Sequence, residues 1–366
     1  MSKVALGELI DFKNGKAIKQ SSGKIPIYGG NGILGYTDVS NYENTIIIGR
    51  VGAYCGSVHM EKNSCWVSDN AIAGIVSQEK DLKFFYYLLK SLGLNSKQIG
   101  SSQPLITQTM LKNMVVDIEL DLQKQKLISV FLDNIDQKIA LNNQINEELE
   151  AMAKTLYDYW FVQFDFPNEN GKPYKSSGGK MVYNDQLKRE IPEGWGVKQL
   201  GELDIATGKR DANFGTENGQ YDFWTTANEP IKADEYSFEG KAILIAGNGN
   251  FYINFTEGKF EAYQRTYVIQ SADENELLFM YPACLQSIEK LRKGSNGSII
   301  KYITIGDVQN ISQPHCPVIA NMFVDIFRPI INTIQKNKQQ NQELTQLRDW
   351  LLPMLMNGQV RVGEGD

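Results

Sequence analysis

Leu6-Gly7-Glu8-Leu9, near the start of the chain, returns as Leu200-Gly201-Glu202-Leu203, an offset of 194. That recurrence decides the fold, because the residues after each copy recur too. A Gly-Lys pair comes next in both, Gly15-Lys16 and Gly208-Lys209. Each half then carries a short apolar run ending in glycines. The first is Ile46-Ile47-Ile48-Gly49-Arg50-Val51-Gly52 and the second Ile243-Leu244-Ile245-Ala246-Gly247-Asn248-Gly249. Runs of this length, β-branched and bounded by Gly and Asn, read as strands of mixed α/β domains. Gly100-Ser101 and Gly294-Ser295 keep the offset of 194.

The repeat continues into helices at an offset of 195: Ile135 with Ile330, Ile139 with Ile334, Asn142 with Asn337, Leu149 with Leu344, Met152 with Leu347 and Leu156 with Leu351. In the first helix the residues Ile128, Leu132, Ile135, Ile139, Asn142, Ile145, Leu149, Met152 and Leu156 are spaced mainly by 3 and 4. That is a heptad-like seam, and neither Pro nor Gly interrupts residues 121–160. Asn142 and Asn337 are expected on the seam as polar residues that fix its register. The resulting fold class is α/β (α+β). It has two mixed α/β domains separated by two long antiparallel coiled-coil helices, with a pseudo-two-fold internal repeat. The expected order is domain 1–118, helix 119–163, linker 164–194, domain 195–316, helix 317–358 and tail 359–366. The linker is rich in Gly, Ser and Lys and carries anchoring aromatics, a surface segment by composition.

Composition excludes several classes. A chain of 366 residues suggests two or three domains. With 42% hydrophobic and 22% charged residues, it has material for cores and is no disordered polymer. No apolar run of membrane-spanning length occurs and the N-terminus has no apolar leader, so a cytoplasmic protein is expected, with no membrane partner. Cys55, Cys65, Cys284 and Cys316 form no C-x-x-C pair and read as buried small hydrophobes. Cys55, His59 and Cys65 match no common zinc spacing, so no metal is expected. No phosphate loop, no G-x-G-x-x-G and no Pro-Pro pair is present. Neither a catalytic residue nor a cofactor is expected. The net charge of −6 is unlike that of a freestanding DNA-binding protein, so any affinity for DNA must come from local patches or from partners.

The stretch Leu156-Tyr157-Asp158-Tyr159-Trp160-Phe161-Val162-Gln163-Phe164-Asp165-Phe166-Pro167 leads through Asn168-Glu169-Asn170-Gly171-Lys172-Pro173-Tyr174 to Ile191-Pro192-Glu193-Gly194-Trp195. Together with Phe260-Glu261-Ala262-Tyr263-Gln264-Arg265-Thr266-Tyr267 and the closing Leu351-Leu352-Pro353-Met354-Leu355-Met356-Asn357-Gly358-Gln359-Val360, it resembles the specificity subunits of Type I restriction–modification systems across the whole chain. The resemblance implies a non-catalytic subunit with two target-recognition domains, each reading half of a bipartite site in double-stranded DNA. It also implies helices that set the spacing and dock two methyltransferase (M) subunits, and restriction–translocase (R) subunits that complete the nuclease. About 30 helical residues make a rod of roughly 45 Å, comparable to one DNA turn of about 34 Å.

Candidate DNA readers are polar or basic residues near the glycine-rich loops: Lys13, Lys16, Lys19, Asn31, Arg50 and Gln103 in the first half, and Lys209, Arg210, Asn248, Arg265, Lys293 and Asn296 in the second. Arg50 and Arg265 lead, because a guanidinium can pair bidentately with guanine. Arg265, read as part of a strand, has a structural ion pair as its competing use. The helix ends Leu156, Tyr157, Tyr159, Trp160, Phe161, Trp350, Leu351, Leu352 and Leu355 are apolar on nearly every face. They are expected either to pack onto the chain's own domains or to dock the methyltransferase subunits. The rival reading of the whole chain is a coiled-coil scaffold that spaces two protein-binding domains.

Overall fold

The computed structural model describes residues 1–77, 79–97, 104–297 and 301–363. It divides into two units, Met1–Asn142 with Gln339–Asp366, and Asn143–Lys338. Among the described residues no helix is long and apolar enough to cross a membrane.

In the first unit the strands are β1 (Ser2–Ala5), β2 (Ile10–Asn14), β3 (Ile25–Gly29), β4 (Gly32–Thr37), β5 (Thr45–Gly49), β6 (Val58–Glu61), β7 (Trp66–Val67), β8 (Ala71–Val76) and β9 (Val115–Ile118). Helices α1 (Leu82–Ser91) and α2 (Gln108–Asn113) lie between β8 and β9, and α3 (Leu122–Tyr157) comes after β9. The main sheet has the order β2-β8-β5-β6, and a smaller one β4-β3-β7. Strand β5 is buried on both faces, and its period of two divides its side chains between two cores. Ile46 and Ile48 join Phe12, Phe84 and Phe85, while Ile47 joins Tyr28, Cys65 and Val67. Asp81 caps α1, accepting from the Phe84 N–H at 3.0 Å, which satisfies a donor that has no partner within the helix.

The second unit repeats this scheme. A hairpin of β10 (Met181–Asn184) and β11 (Arg189–Pro192) comes first, then β12 (Gly196–Gln199), β13 (Asp204–Thr207), β14 (Tyr221–Trp224), β15 (Ile231–Ala233), β16 (Phe238–Glu239), β17 (Ala242–Ala246), β18 (Ile253–Thr256), β19 (Lys259–Ala262) and β20 (Thr266–Gln270). Helices α4 (Glu274–Gly294) and α5 (Ile305–Gln309), strand β21 (Ser312–His315) and helix α6 (Pro317–Met356) complete it. The main sheet is β13-β20-β17-β18, the order of the first unit position for position. Ile243 and Ile245 of β17 face one core and Leu244 the other, as their counterparts in β5 do. The segment expected as a surface linker holds the β10–β11 hairpin and stacks Phe166 on Trp195 at 4.9 Å and on Tyr174 at 4.8 Å. It holds structure of its own, anchored by these aromatics.

Helices α3 and α6 pair within each unit. In the first, the buried Asn142 donates to Gln340 Oε1 at 2.8 Å and to Asn341 Oδ1 at 2.9 Å, and Arg348 pairs with Asp136 at 2.7 Å. In the second, Asn337 donates to Asn146 Oδ1 at 2.8 Å, and Phe323 packs on Tyr157 and Trp160. In both, one residue number rises as the other falls, so the pairing is antiparallel. The asparagines therefore lie at the helix contact as expected. Met152 and Leu347, also expected on the seam, are exposed instead. The buried stripe moves to Ala153 and Tyr157 on α3 and to Leu352 on α6. An α-helix of 3.6 residues per turn drifts by ~20° per heptad against a strict seven-residue repeat, which turns these positions outward.

Candidate nucleic-acid interface

One corner is built the same way in both units, and sterics explain why. The N–H of Leu6 donates to Met114 O at 2.8 Å, and that of Leu200 to Ile311 O at 2.8 Å. Gly15 donates to Ala71 O and Gly208 to Thr266 O, each at 3.0 Å. A Cβ on Gly15 would stand 2.0 Å from Ser68 O, and one on Gly208 2.2 Å from Ala262 O, so only glycine fits either turn. Lys16 and Lys209 come next, and both are exposed. At the ends of the central strands, Ile106 donates to Arg50 O at 2.9 Å and Ile303 to Gly247 O at 3.0 Å. Val51 bridges Leu105 as Asn248 bridges Tyr302, and Gly52 and Gly249 come directly after with φ of 75° and 74°. Thr107 and Thr304 cap the next short helices.

This frame gathers some of the sequence candidates and leaves others out. In the first unit Lys16 and Arg50 flank the turn between β7 and β8. Asn31 is exposed beside Gly30, whose Cβ would lie 3.2 Å from Gly49 Cα. Lys13 pairs with Asp11 at 3.1 Å, and Lys19 is exposed on the chain between β2 and β3. Gln103 and Gly100-Ser101 lie outside the described residues. In the second unit Lys209, Asn248, Arg265 and Asn296 come together. Asn296 exchanges two backbone hydrogen bonds of 2.9 Å with Tyr302, the residue that Asn248 bridges. Arg265 lines a cleft with Thr207, Gly247, Gln264, Tyr267 and Ile303. It was expected inside a strand, but Thr266 N–H closes onto Tyr263 O at 2.7 Å and turns the chain there, leaving Arg265 exposed before β20. Arg210 is held by Glu235 at 2.7 Å and the buried Glu261 at 3.3 Å, over the Phe214 ring. Lys293 is exposed near the end of α4.

The cleft and its edge hold residues that were not among the candidate DNA readers, although Gln264 and Tyr267 lie in the quoted run Phe260–Tyr267. Burial pushes the Tyr267 phenol up, so it stays neutral and donates to Ile303 O at 3.1 Å. Gln264, Thr207 and the exposed Tyr302 lie beside Arg265 or Asn248. For Thr207 and Tyr302 the signal in the sequence was proximity to the Gly-Lys and Gly-Asn turns. Cys55 and Cys65 are buried, and burial pushes the Cys65 thiol up to about 12. Among the described residues no group of His, Cys, Asp and Glu is arranged to hold a metal.

Of the nine apolar candidates at the helix ends, Tyr157, Trp160 and Phe161 are buried in the core of the second unit, and Leu352 and Leu355 in that of the first. Packing onto the chain's own domains therefore accounts for these five. Leu156 and Leu351 are half-buried. Tyr159 and Trp350 stay exposed, Trp350 at 64%.

Comparison with known proteins gives a consistent picture. The family described as Type I restriction modification DNA specificity domain matches residues 1–151 and 192–346. The specificity subunit of the Type I restriction enzyme EcoDI from Escherichia coli is 35% identical over 177 residues, covering 47% of this chain and 40% of that protein. The MjaIX specificity subunit from Methanocaldococcus jannaschii is 28% identical over 323 residues, covering 80% of this chain and 71% of that protein. In fold, the chain is similar to the crystal structure of a Type I restriction–modification S subunit from M. genitalium. The TM-score is 0.65 at 18% identity, over 97% of this chain and 96% of that one.

Proposed function

Because the chain belongs to the family of Type I restriction–modification DNA specificity subunits, we propose that it binds double-stranded DNA at a bipartite sequence, residues 1–118 reading one half and residues 195–316 the other. The observation that carries this reading is the corner built twice: the same turns and the same exposed lysines after Gly15 and Gly208. Lysines beside a glycine turn supply phosphate contacts, and polar side chains at the strand end supply base contacts. Local patches of this kind are compatible with a net charge of −6, because affinity depends on the surface that meets the DNA.

The same reading gives the helices two tasks: fixing the spacer between half-sites and docking two methyltransferase subunits, to which restriction–translocase subunits add. Support for docking comes from apolar residues exposed at matching positions of the repeat. Phe131 and Ile326 are 36% and 48% exposed, and they stand 195 residues apart, as do Met152 and Leu347. A surface presented twice suits two copies of one partner. The test is a hybrid in which residues 195–316 are replaced by the corresponding domain of a relative, in complex with the host methyltransferase. One half-site of the methylated motif should change and the other persist. If both changed, or if neither did, the assignment of one domain to one half-site would fail.

A further inference from the structure

The two copies of the corner differ at one place. In the first, Arg50 comes directly after β5 and its N–H meets Asn70 O at 2.9 Å; in the second, Gly247 comes directly after β17 and its N–H meets Arg265 O at 2.7 Å. The arginine has changed sides of one equivalent backbone hydrogen bond. Sterics account for its side in the second copy. A Cβ on Gly247 would stand 2.6 Å from Arg265 O and 3.1 Å from the Tyr267 ring, which is tethered to Ile303. Position 247 therefore has no room for a side chain. In the first copy the residue facing the strand end at the Tyr267 position is the shorter Ile72, and Arg50 is accommodated.

These two arginines also differ from the others in the sheet domains. Arg210 is held by two glutamates and Arg292 by Glu289 at 2.7 Å. Among the described residues Arg50 reaches only Asp69 O, at 3.5 Å, which is beyond a good hydrogen bond. Among the described residues the Arg265 guanidinium has no hydrogen bond and no carboxylate partner. A guanidinium that serves the fold is held by carboxylates, by backbone carbonyls or over a ring, as Arg189 is by Phe161 O, Val162 O and the Phe164 ring. One left with its fork unfilled, on a corner framed by glycines, is arranged to meet an outside acceptor pair.

Resting on the reading that the domains bind DNA, we propose that positions 50/70 and 247/265 form the base-reading switch of each domain. One guanidinium per corner pairs with guanine O6 and N7, and the backbone position from which it starts selects the base step it reaches. Asn70 and Gly247, the positions across the bond, leave room for that single arginine.

The experiment uses the full chain in complex with the host methyltransferase subunits, as wild type, Arg50→Ala and Arg265→Ala. Each is incubated with a randomised double-stranded DNA library, and the bound DNA is sequenced. Arg265→Ala should lose one G·C preference in one half-site, with discrimination there falling about 5- to 150-fold, the range of a bidentate pair. The other half-site should be unchanged, and Arg50→Ala should do the reverse. Thermal unfolding at the wild-type temperature would show that neither effect comes from misfolding. Intact G·C preferences in both variants would overturn the proposal. So would a uniform loss across sequences with the salt slope reduced by about 1, which marks a phosphate contact. A wild-type complex with no sequence preference at all would instead remove the DNA-reading function on which the proposal rests.

Discussion

The first unit holds its stretch of helix with charge and hydrogen bonds. Asp136 of α3 accepts from the Tyr87 hydroxyl at 2.7 Å and pairs with Arg348 of α6 at 2.7 Å; Lys83 pairs with Asp133, and Ser129 donates to Asp81 at 2.9 Å. The second unit keeps a polar fastening there, Arg328 of α6 pairing with Glu274 and Asn275 of α4, and adds rings beside it. Phe161 lies edge-on to Phe279 at 5.3 Å and to Phe323 at 5.1 Å, and Phe323 stacks on Phe327 at 5.2 Å. The corner frame, in contrast, repeats to within a few tenths of an ångström in hydrogen bonds of 2.7–3.0 Å. A helix can be fastened to a sheet by many combinations of side chains. A turn with a carbonyl where Cβ would stand admits one residue type, so divergence altered the fastenings and kept the frame.

The strongest way to break this comparison is to empty the ring cluster. Phe323 is fully buried among Tyr157, Trp160, Phe161 and Phe327. Phe323→Ala should destabilise the second unit by about 3–5 kcal/mol, the usual cost of such a truncation. The residues of that cluster lie in the second unit. Hydrogen exchange should therefore show lost protection in β17 and β20 with little change in β5 and β8. Equal loss in both units would mean that the aromatic fastening is not local to the second.

The frame gives the next effect, and here the two units should respond alike. Gly15→Ala and Gly208→Ala each place a Cβ against backbone carbonyls. Each should cost about 3 kcal/mol, the upper part of the ordinary range for overpacking. Circular dichroism melts of the two variants provide the check. If one glycine tolerated alanine and the other did not, the two corners would not be the same device.

How much of the molecule was legible in the sequence depends on the range of each interaction. The duplication was, because Leu6-Gly7-Glu8-Leu9 and its copy preserve residue identity. The helix seam was legible near Ile128, Leu132 and Asn142, where local spacing decides which face is buried, and it drifted by Met152 because heptad and helix periods differ. The corner was not. The bond between Arg50 and Asn70 closes a loop whose length differs from its copy, so Arg50 aligns with Gly247 at an offset of 197 and Asn70 with Arg265 at 195. No single offset reveals the exchange. Arg210 stood beside Lys209 as an equal candidate, and only the fold brings Glu235 and the buried Glu261 to it. Trp160 likewise read as a docking residue, because the helix pair alone cannot cover it. The rings that do, Phe161 and Phe323, reach it from the helix end and from the start of α6.

The smallest effect on stability, and the sharpest test of what the units still share, lies on the exposed helix face. Phe131 and Ile326 occupy equivalent positions of the repeat and both are accessible. Phe131→Asp and Ile326→Asp should each change folding stability by no more than about 0.5 kcal/mol, as surface substitutions usually do. If each residue helps to seat one methyltransferase subunit, an aspartate there puts an unpaired charge into that contact. Such burial costs several kcal/mol, enough to lose the partner at micromolar concentration. Multi-angle light scattering of mixtures with excess methyltransferase subunit should then show one bound copy for each single variant and none for the double variant, against two for the wild type. Retention of both copies by both single variants would assign docking to another surface. Loss of both copies in one single variant would mean that the two seats are coupled rather than independent.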